Sequence, residues 1–346
     1  DYTGGGCPHI LAEPQRTNLF EYSESFNNIE WSRSSVTVVD NSSQSPDGTN
    51  NASLMYPSSS GDFRYIHNST IDSNSIYTIS AFVKASGKNV VWFYINSGSQ
   101  NGYIYYDLSD ETTQVVPGSA GTPTATITSY GNDWYKISFT TGTAFAIGSG
   151  SGIGVSDAKG DPAVTANGTD GVLVWGLQLE AGSYPTSYIP TSGSTVTRNQ
   201  DLFTRDGIGS LINSTEGVLF VEMAALSDDL TTRMISLSDG SNTNRIHCFY
   251  YGASNTIGLN YRVAGVTQAS ITASLGDETD FKKIAFRWES GNFKLYIDGI
   301  PSGTDANTTM LPSDTLNKLA FEQGDGGSNF YGKVKQLQVY NTSLSD

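Results

Sequence analysis

Charge, sulfur and long apolar runs are all scarce in this chain of 346 residues. Cysteine occurs only at Cys7 and Cys248. The two are far apart and lack C-x-x-C or metal-ligand spacing, which excludes a disulfide framework and leaves two unpaired thiols. His9, His67 and His247, the three histidines, form no ligand cluster, so zinc is not expected. Lysine and arginine total 19 against 34 acidic residues, giving a net charge of -15 and a pI near 4.5. Nucleic acid and anionic membrane surfaces select for the opposite sign, and neither is expected as a partner. No apolar stretch is long enough to cross a bilayer, so membrane insertion is not expected. A basic-then-apolar leader is missing, and the abrupt opening Asp1-Tyr2-Thr3-Gly4 leads us to expect a piece of a longer polypeptide. Helical periodicity is missing apart from a short patch over residues 177–181, and there is no G-x-S-x-G elbow for a serine nucleophile.

What the chain has instead is glycine, 37 residues of it, and aromatics at 11%, set among uncharged polar side chains. That palette suits extracellular β proteins. It also suits neutral sugars, whose apolar ring faces stack on aromatics while amides bond their hydroxyls. The same composition serves any β-sandwich that needs turns and packed rings. The length allows two cores of ordinary size. Short alternating runs recur at 76–84, 90–95, 103–108, 125–129, 134–139 and 171–179, and again at 217–223, 234–237, 245–251, 257–263, 267–273 and 318–322. Strands this short, separated by Gly/Ser/Asn turns, predict antiparallel sandwiches or barrels. The clearest signal is residues 281–300. There Ile284, Phe286 and Trp288 alternate, residues 289–292 turn the chain, Phe293, Leu295 and Ile297 alternate again, and Asp298-Gly299 makes a second tight turn.

The 281–300 stretch, with its L-Y-x-D-G ending, resembles the central hairpin of laminin-G-like domains, which are concanavalin A-like jelly-roll sandwiches. Asn329-Phe330-Tyr331-Gly332-Lys333-Val334 and Gln336-Leu337-Gln338-Val339-Tyr340-Asn341 resemble that family's closing strand, and the likeness runs over residues 215–346. Residues 1–31, beginning Asp1-Tyr2-Thr3-Gly4-Gly5, together with the exit segment 174–191, resemble a module boundary in tail-fibre proteins of tailed bacteriophages. Residues 76–84 and 134–139 resemble framework strands of jelly-roll carbohydrate-binding modules. These resemblances imply an all-β chain of two antiparallel β-sandwich (jelly-roll) domains in tandem. The expected layout is an arm over 1–17, a carbohydrate-binding-like domain over 18–191, a linker over 192–213 and a laminin-G-like domain over 214–346. They also imply residence on a virion, with a secreted cellular protein as the alternative.

Several constellations are candidates for function. Trp92 and Tyr94 share one strand face, as do Tyr103 and Tyr105, and neighbouring strands would merge them into an aromatic platform for a glycan. The competing readings are a face packed on another domain or subunit of a homo-oligomer, or a two-sided core. Arg245, His247 and Tyr251 partly resemble the cation and His/Tyr set of jelly-roll polysaccharide lyases, although Arg stands where that family has Gln and its companion strands are missing. Glu278 and Asp280 begin the E-x-D-x-x-E spacing of concanavalin-like glycosidases, but Lys283 holds the third position. Asp157, Asp161, Asp170 and Asp325 lie in Gly-rich loops and could hold a structural calcium ion or act as turn residues. The reading favoured by this set is non-catalytic recognition of a polysaccharide or cell-surface glycan, requiring no cofactor. The alternatives are a structural spacer of the particle, or a polysaccharide lyase or hydrolase acting from the second sandwich.

Overall fold

Period-two alternation punctuated by glycine leaves almost nothing helical. A computed structural model describes residues 8–68, 71–96, 101–116, 121–148 and 150–344, and the only helix among them is a single 3-10 turn at Gly209–Leu211. The chain forms two compact units, residues 15–199 and residues 200–346 joined by the amino-terminal segment up to Pro14. Each unit is built on a pair of six-stranded antiparallel sheets, and the unit of residues 15–199 adds three two-stranded ones among the described residues. Cys7 lies outside the described residues. Cys248 is buried and unpaired, its thiol pushed up by burial.

In the unit of residues 15–199, one sheet runs in the order Thr112–Val116, Asn101–Asp107, Val90–Asn96, Gly150–Ser156, Arg64–Asn68 and Ser32–Ser34. The other runs Thr124–Gly131, Trp134–Thr140, Tyr77–Ser86, Gly171–Ala181, Ala52–Pro57 and Val36–Ser43. Alternation sends Val91, Phe93, Ile95, Ile104 and Tyr106 into the shared core, facing Ile79, Ile137, Phe139, Val172 and Val174. The Tyr106 hydroxyl donates to Ser138 O at 2.6 Å, so the buried phenol is satisfied. Residues 177–181, the one patch with a helical rhythm, belong to the Gly171–Ala181 strand.

The two ends of this unit meet in a buried polar hub. Asn18, fully buried, donates from Nδ2 to Ile189 O at 2.9 Å, and its Oδ1 accepts from Phe20 N and Leu179 N, each at 3.2 Å. Gln178 Oε1 accepts from Ile189 N at 2.7 Å, and Glu180 Oε2 accepts from Thr186 N at 3.0 Å. These side chains thus sit where the entry and exit segments need their backbone groups satisfied.

In the other unit, Ile10–Ala12 is the edge strand of a sheet that continues through Gly332–Tyr340, Gly217–Ala225, Lys282–Trp288, Phe293–Ile297 and Ile300–Asp305. The facing sheet runs Thr204–Asp206, Lys318–Ala320, Arg233–Ser238, Arg245–Tyr250, Thr256–Val263 and Val266–Ser274. The predicted hairpin forms with Ile284 opposite Ile297 and Phe286 opposite Leu295, all buried or half-buried in the core. Asp298 (φ 52°) and Gly299 (φ 81°) make its second turn, both in the left-handed region that a two-residue type I′ loop requires.

The expected arm and linker differ from what forms. Ile10 pairs with Val334 and Ala12 with Gly332, so the amino-terminal stretch is part of the carboxy-terminal sandwich. Within the span expected as linker, Val196–Arg198 pairs with Arg16–Asn18 in one unit, and Thr204–Asp206 pairs with Lys318–Ala320 in the other. Three-residue polar strands carry no periodicity, and their partners are remote in sequence. The unit of residues 15–199 is therefore inserted into the chain of the other.

Candidate functional site

In the inserted unit, alternation turns Trp92 and Tyr94 away from the core, and register places Trp92 opposite Tyr105 and Tyr94 opposite Tyr103. The four predicted residues therefore do share one sheet face. They do not form an open platform. Trp92 is 1% exposed and Tyr105 3%, with Tyr94 also buried and only Tyr103 half-buried. The reason lies one strand away. Gly154 leaves the space in which the indole lies flat, and a Cβ there would come within 2.2 Å of Trp92 Cε2. The indole Nε1 then donates to Val155 O at 3.3 Å.

Rings absent from the sequence-based expectation close over this floor. Phe63 (φ 53°) is held by its N–H donating to Pro162 O, and its ring meets Trp92 and Tyr103 at 6.1 and 6.0 Å. Tyr65 lies 5.5 Å from Trp92 and 5.1 Å from Tyr94, and His67 follows at 5.3 Å from Tyr65. Together with Ser34 and Asn96, these rings line a depression of about 300 Å³. Burial raises the Tyr94 and Tyr103 phenols, and it pushes Tyr105 up to about 12 with help from Asp161, Tyr103 and Asp62. Burial lowers His67. The lining is therefore uncharged at neutral pH. Its missed members were visible as Phe63-x-Tyr65-x-His67, an alternation around the core residue Ile66.

The second candidate lies on the outer face of the Arg245–Tyr250 strand. Arg245 and His247 project there beside Phe249, and Tyr251 follows in the turn. They line a cavity of about 460 Å³ with Asn260, Arg262, Thr267, Thr232 and Met234. The His/Tyr pair expected of a lyase is not assembled. The Phe249 ring lies between the two, 5.1 Å from His247 and 5.7 Å from Tyr251. His247 is 1% exposed, and burial with the Arg245 and Arg262 charges lowers it to about 3. A neutral imidazole with so acidic a conjugate acid is a feeble base at ordinary pH. Glu278 is buried in a turn beside Asp228, Asp229 and Arg233, not on a strand with Asp280.

The four candidate calcium ligands do not converge. Asp157 pairs with Lys88 at 2.6 Å and accepts from Thr165 N at 2.8 Å; against a desolvation that would raise it, these contacts hold its carboxyl low. Asp161 accepts from Ala163 N at 2.9 Å, and Asp170 accepts from the Thr169 hydroxyl at 3.3 Å. Asp325 accepts from Gln323 Nε2 and Asn242 Nδ2, each at 2.7 Å. Among the described residues, no group of three His, Cys, Asp or Glu is arranged to hold a metal.

Comparison with known proteins bears mainly on the second unit. Residues 219–346 match the family described as the concanavalin A-like lectin/glucanases superfamily, a laminin G type. No curated protein matches the chain. Among solved structures, domains LG4-5 of the mouse laminin alpha1 chain are similar over 98% of this chain and 92% of theirs, at 10% identity and a TM-score of 0.29. A Ruminococcus gnavus IT-sialidase CBM40 bound to alpha2,3 sialyllactose aligns with 41% of this chain and 94% of its own, at 14% identity and a TM-score of 0.33. The Caenorhabditis elegans galectin LEC-6 aligns with 40% of this chain and 91% of its own, at 14% identity and a TM-score of 0.30. At these TM-scores the likenesses carry no argument, and the fold rests on the strands themselves and on the family match. The chain is thus all-β, two antiparallel sandwiches, the second of them a laminin-G-like, concanavalin A-like domain.

Proposed function

We propose that the chain is a non-catalytic glycan-recognition module and that a neutral sugar docks in the ring-lined depression of the inserted sandwich. The observation that carries this reading is the solvent-facing part of the ring set. Phe63 is 41% exposed, and Tyr65 and Tyr103 are half-buried around the cavity, with His67, Asn96 and Ser34 as a polar rim. Rings stack on the apolar faces of a pyranose while a polar rim bonds its hydroxyls. Residence on a phage particle is supported by the tail-fibre likeness of residues 1–31 and 174–191; a secreted protein is the alternative.

The test is a polysaccharide gel-retardation and glycan-array screen of the whole chain beside Phe63→Ala, Tyr65→Ala and Trp92→Ala, with EDTA in parallel. Phe63→Ala and Tyr65→Ala are expected to weaken binding at least about tenfold, the loss of one stacked ring, without new reducing or unsaturated ends. Trp92→Ala is expected instead to destabilise the unit by about 3–5 kcal/mol, as a buried Trp truncation does. Loss of binding in EDTA would assign a structural ion such as calcium. Unaltered binding in both surface variants overturns the site. The spacer reading is favoured by one observation, the near-complete burial of Trp92 and Tyr105 as a small outer core. It predicts that Tyr65→Ala lowers stability while no glycan binds.

A further inference from the structure

Two arginines face each other on adjacent strands of the carboxy-terminal sandwich. Arg245 is the direct cross-strand partner of Arg262, an arrangement that is repulsive without a compensating anion. Among the described residues, neither guanidinium lies within ion-pair distance of a carboxylate. Arg245 donates from Nη1 to Gln323 O, and Arg262 donates from Nη2 to Gly265 O, each at 2.5 Å. Asp325 and Glu322 offset the Arg245 charge from a distance, but their direct contacts lie elsewhere: Glu322 accepts from Gly324 N and Gly326 N and pairs with Lys318, and Asp325 holds Gln323 and Asn242. In a chain of net charge -15, two guanidinium groups are set side by side here.

The next row of the same face is neutral and unsatisfied. His247 stands opposite Asn260 on one side and Ser236 on the other. Asn260 Nδ2 approaches His247 Nε2 at 3.5 Å, while His247 Nδ1, Asn260 Oδ1, Ser236 Oγ and the Nε atoms of both arginines have no hydrogen-bond partner. Arg245 is 5% exposed and His247 1%, so these groups are held in place at the cavity floor. Buried polar atoms in this number are costly unless water or a ligand meets them, and a ligand entering the cavity would find donors and acceptors already in place. The third row is apolar. Phe249 lies flat over Gly258, where a Cβ would come within 2.3 Å of its ring, and Tyr251 is 48% exposed beside it.

We infer that this pocket binds an acidic sugar, its carboxylate or sulfate held between Arg245 and Arg262 and a ring face laid on Phe249 and Tyr251. Four residues of extended chain, roughly 13 Å, separate the cationic row from the Phe249 row, a span suited to a short acidic oligosaccharide. His247 and Asn260 between them offer ring hydroxyls a donor and an acceptor. Guanidinium groups recognise both oxyanions in the same way, so the source of the charge is left to the experiment. The inference rests on the glycan reading above only in taking the ligand to be a sugar, and it concerns the other unit.

The experiment is calorimetric titration of the whole chain at low salt with oligogalacturonate, dextran sulfate and neutral dextran, alongside Arg262→Gln, Tyr251→Ala and Tyr65→Ala. At least one acidic polymer is expected to bind, and dextran is not expected to reach this site. Arg262→Gln should weaken that binding about tenfold or more, the loss of a charge-assisted pair, while keeping or raising the thermal midpoint because a like charge has gone. Tyr251→Ala should also weaken it, and Tyr65→Ala should leave it unchanged. Oligogalacturonate alone would assign the carboxylate, and dextran sulfate alone the sulfate. Acidic-polymer binding that is equal in the native chain and Arg262→Gln overturns the proposal, as does failure of both acidic polymers to bind.

Discussion

Trp92 occupies the space that a side chain at position 154 would fill. This is why the sequence could rank the faces of the Val90–Asn96 strand but not their exposure. Alternation separates Val91, Phe93 and Ile95 from Trp92 and Tyr94, whereas burial of the indole depends on a glycine in a strand about sixty residues on and on Phe63 in a left-handed conformation. Neither dependence has a local signature. Glu278 is a similar case, a carboxyl that reads as a turn residue yet is 2% exposed. Burial, reinforced by Asp228 and Asp229 against Arg233, raises it to about 7 from 4.5. Between those values the unfolded chain releases a proton that the folded chain keeps. The stability this group contributes is therefore full below pH 4.5 and is lost as pH rises through 7. His247 has the opposite sign, contributing above pH 6.5 and losing that contribution as pH falls toward 3. Glu278→Gln should accordingly stabilise the carboxy-terminal sandwich at pH 8 relative to the native chain and narrow the difference below pH 5. Urea unfolding at each pH measures it, and a pH-independent difference would contradict the assignment.

At the scale of elements, legibility followed the number of buried positions per strand. The hairpin of Lys282–Trp288 and Phe293–Ile297 was plain because Ile284, Phe286, Trp288, Phe293 and Leu295 are all buried at period two. Arg64–Asn68 was missed because Ile66 is its only buried residue, flanked by Arg, Tyr and His, although the alternation of Phe63, Tyr65 and His67 was there to be seen. Ile10–Ala12 and Val196–Arg198 are shorter still, and nothing in three residues announces a partner. Turn chemistry was the more dependable guide. Gly299 has no atom within 4 Å of where a Cβ would stand, so Gly299→Ala tests its backbone conformation without a steric confound. It is expected to cost the carboxy-terminal sandwich about 1–2 kcal/mol, read as a shift of the denaturation midpoint with the slope unchanged.

For the whole molecule, the fold class and the two sandwiches were legible, whereas the chain's path between them was not. Ile10–Ala12 belongs with residues 200–346, and Glu13 N and O exchange hydrogen bonds with Asp201 Oδ2 and N, each at 2.9 Å. Residues 200–346 alone should therefore be less stable than the same fragment with residues 8–14 joined ahead of it through a short glycine linker, by about 2 kcal/mol for a few ladder hydrogen bonds and the buried Ala12. Paired denaturation curves decide it, and identical midpoints would reduce the edge strand to decoration. The insertion also orders events in time. Ile10 leaves the ribosome long before its partner Val334, so the carboxy-terminal sandwich cannot finish until the Gly332–Tyr340 strand has been made. Meanwhile Arg16 is drawn beside Arg198 as the inserted sandwich forms, turning what would be a very long loop into a short one. Early folding of the inserted unit therefore lowers the entropic barrier for the other, and a substitution that slows the first should delay the second without touching it.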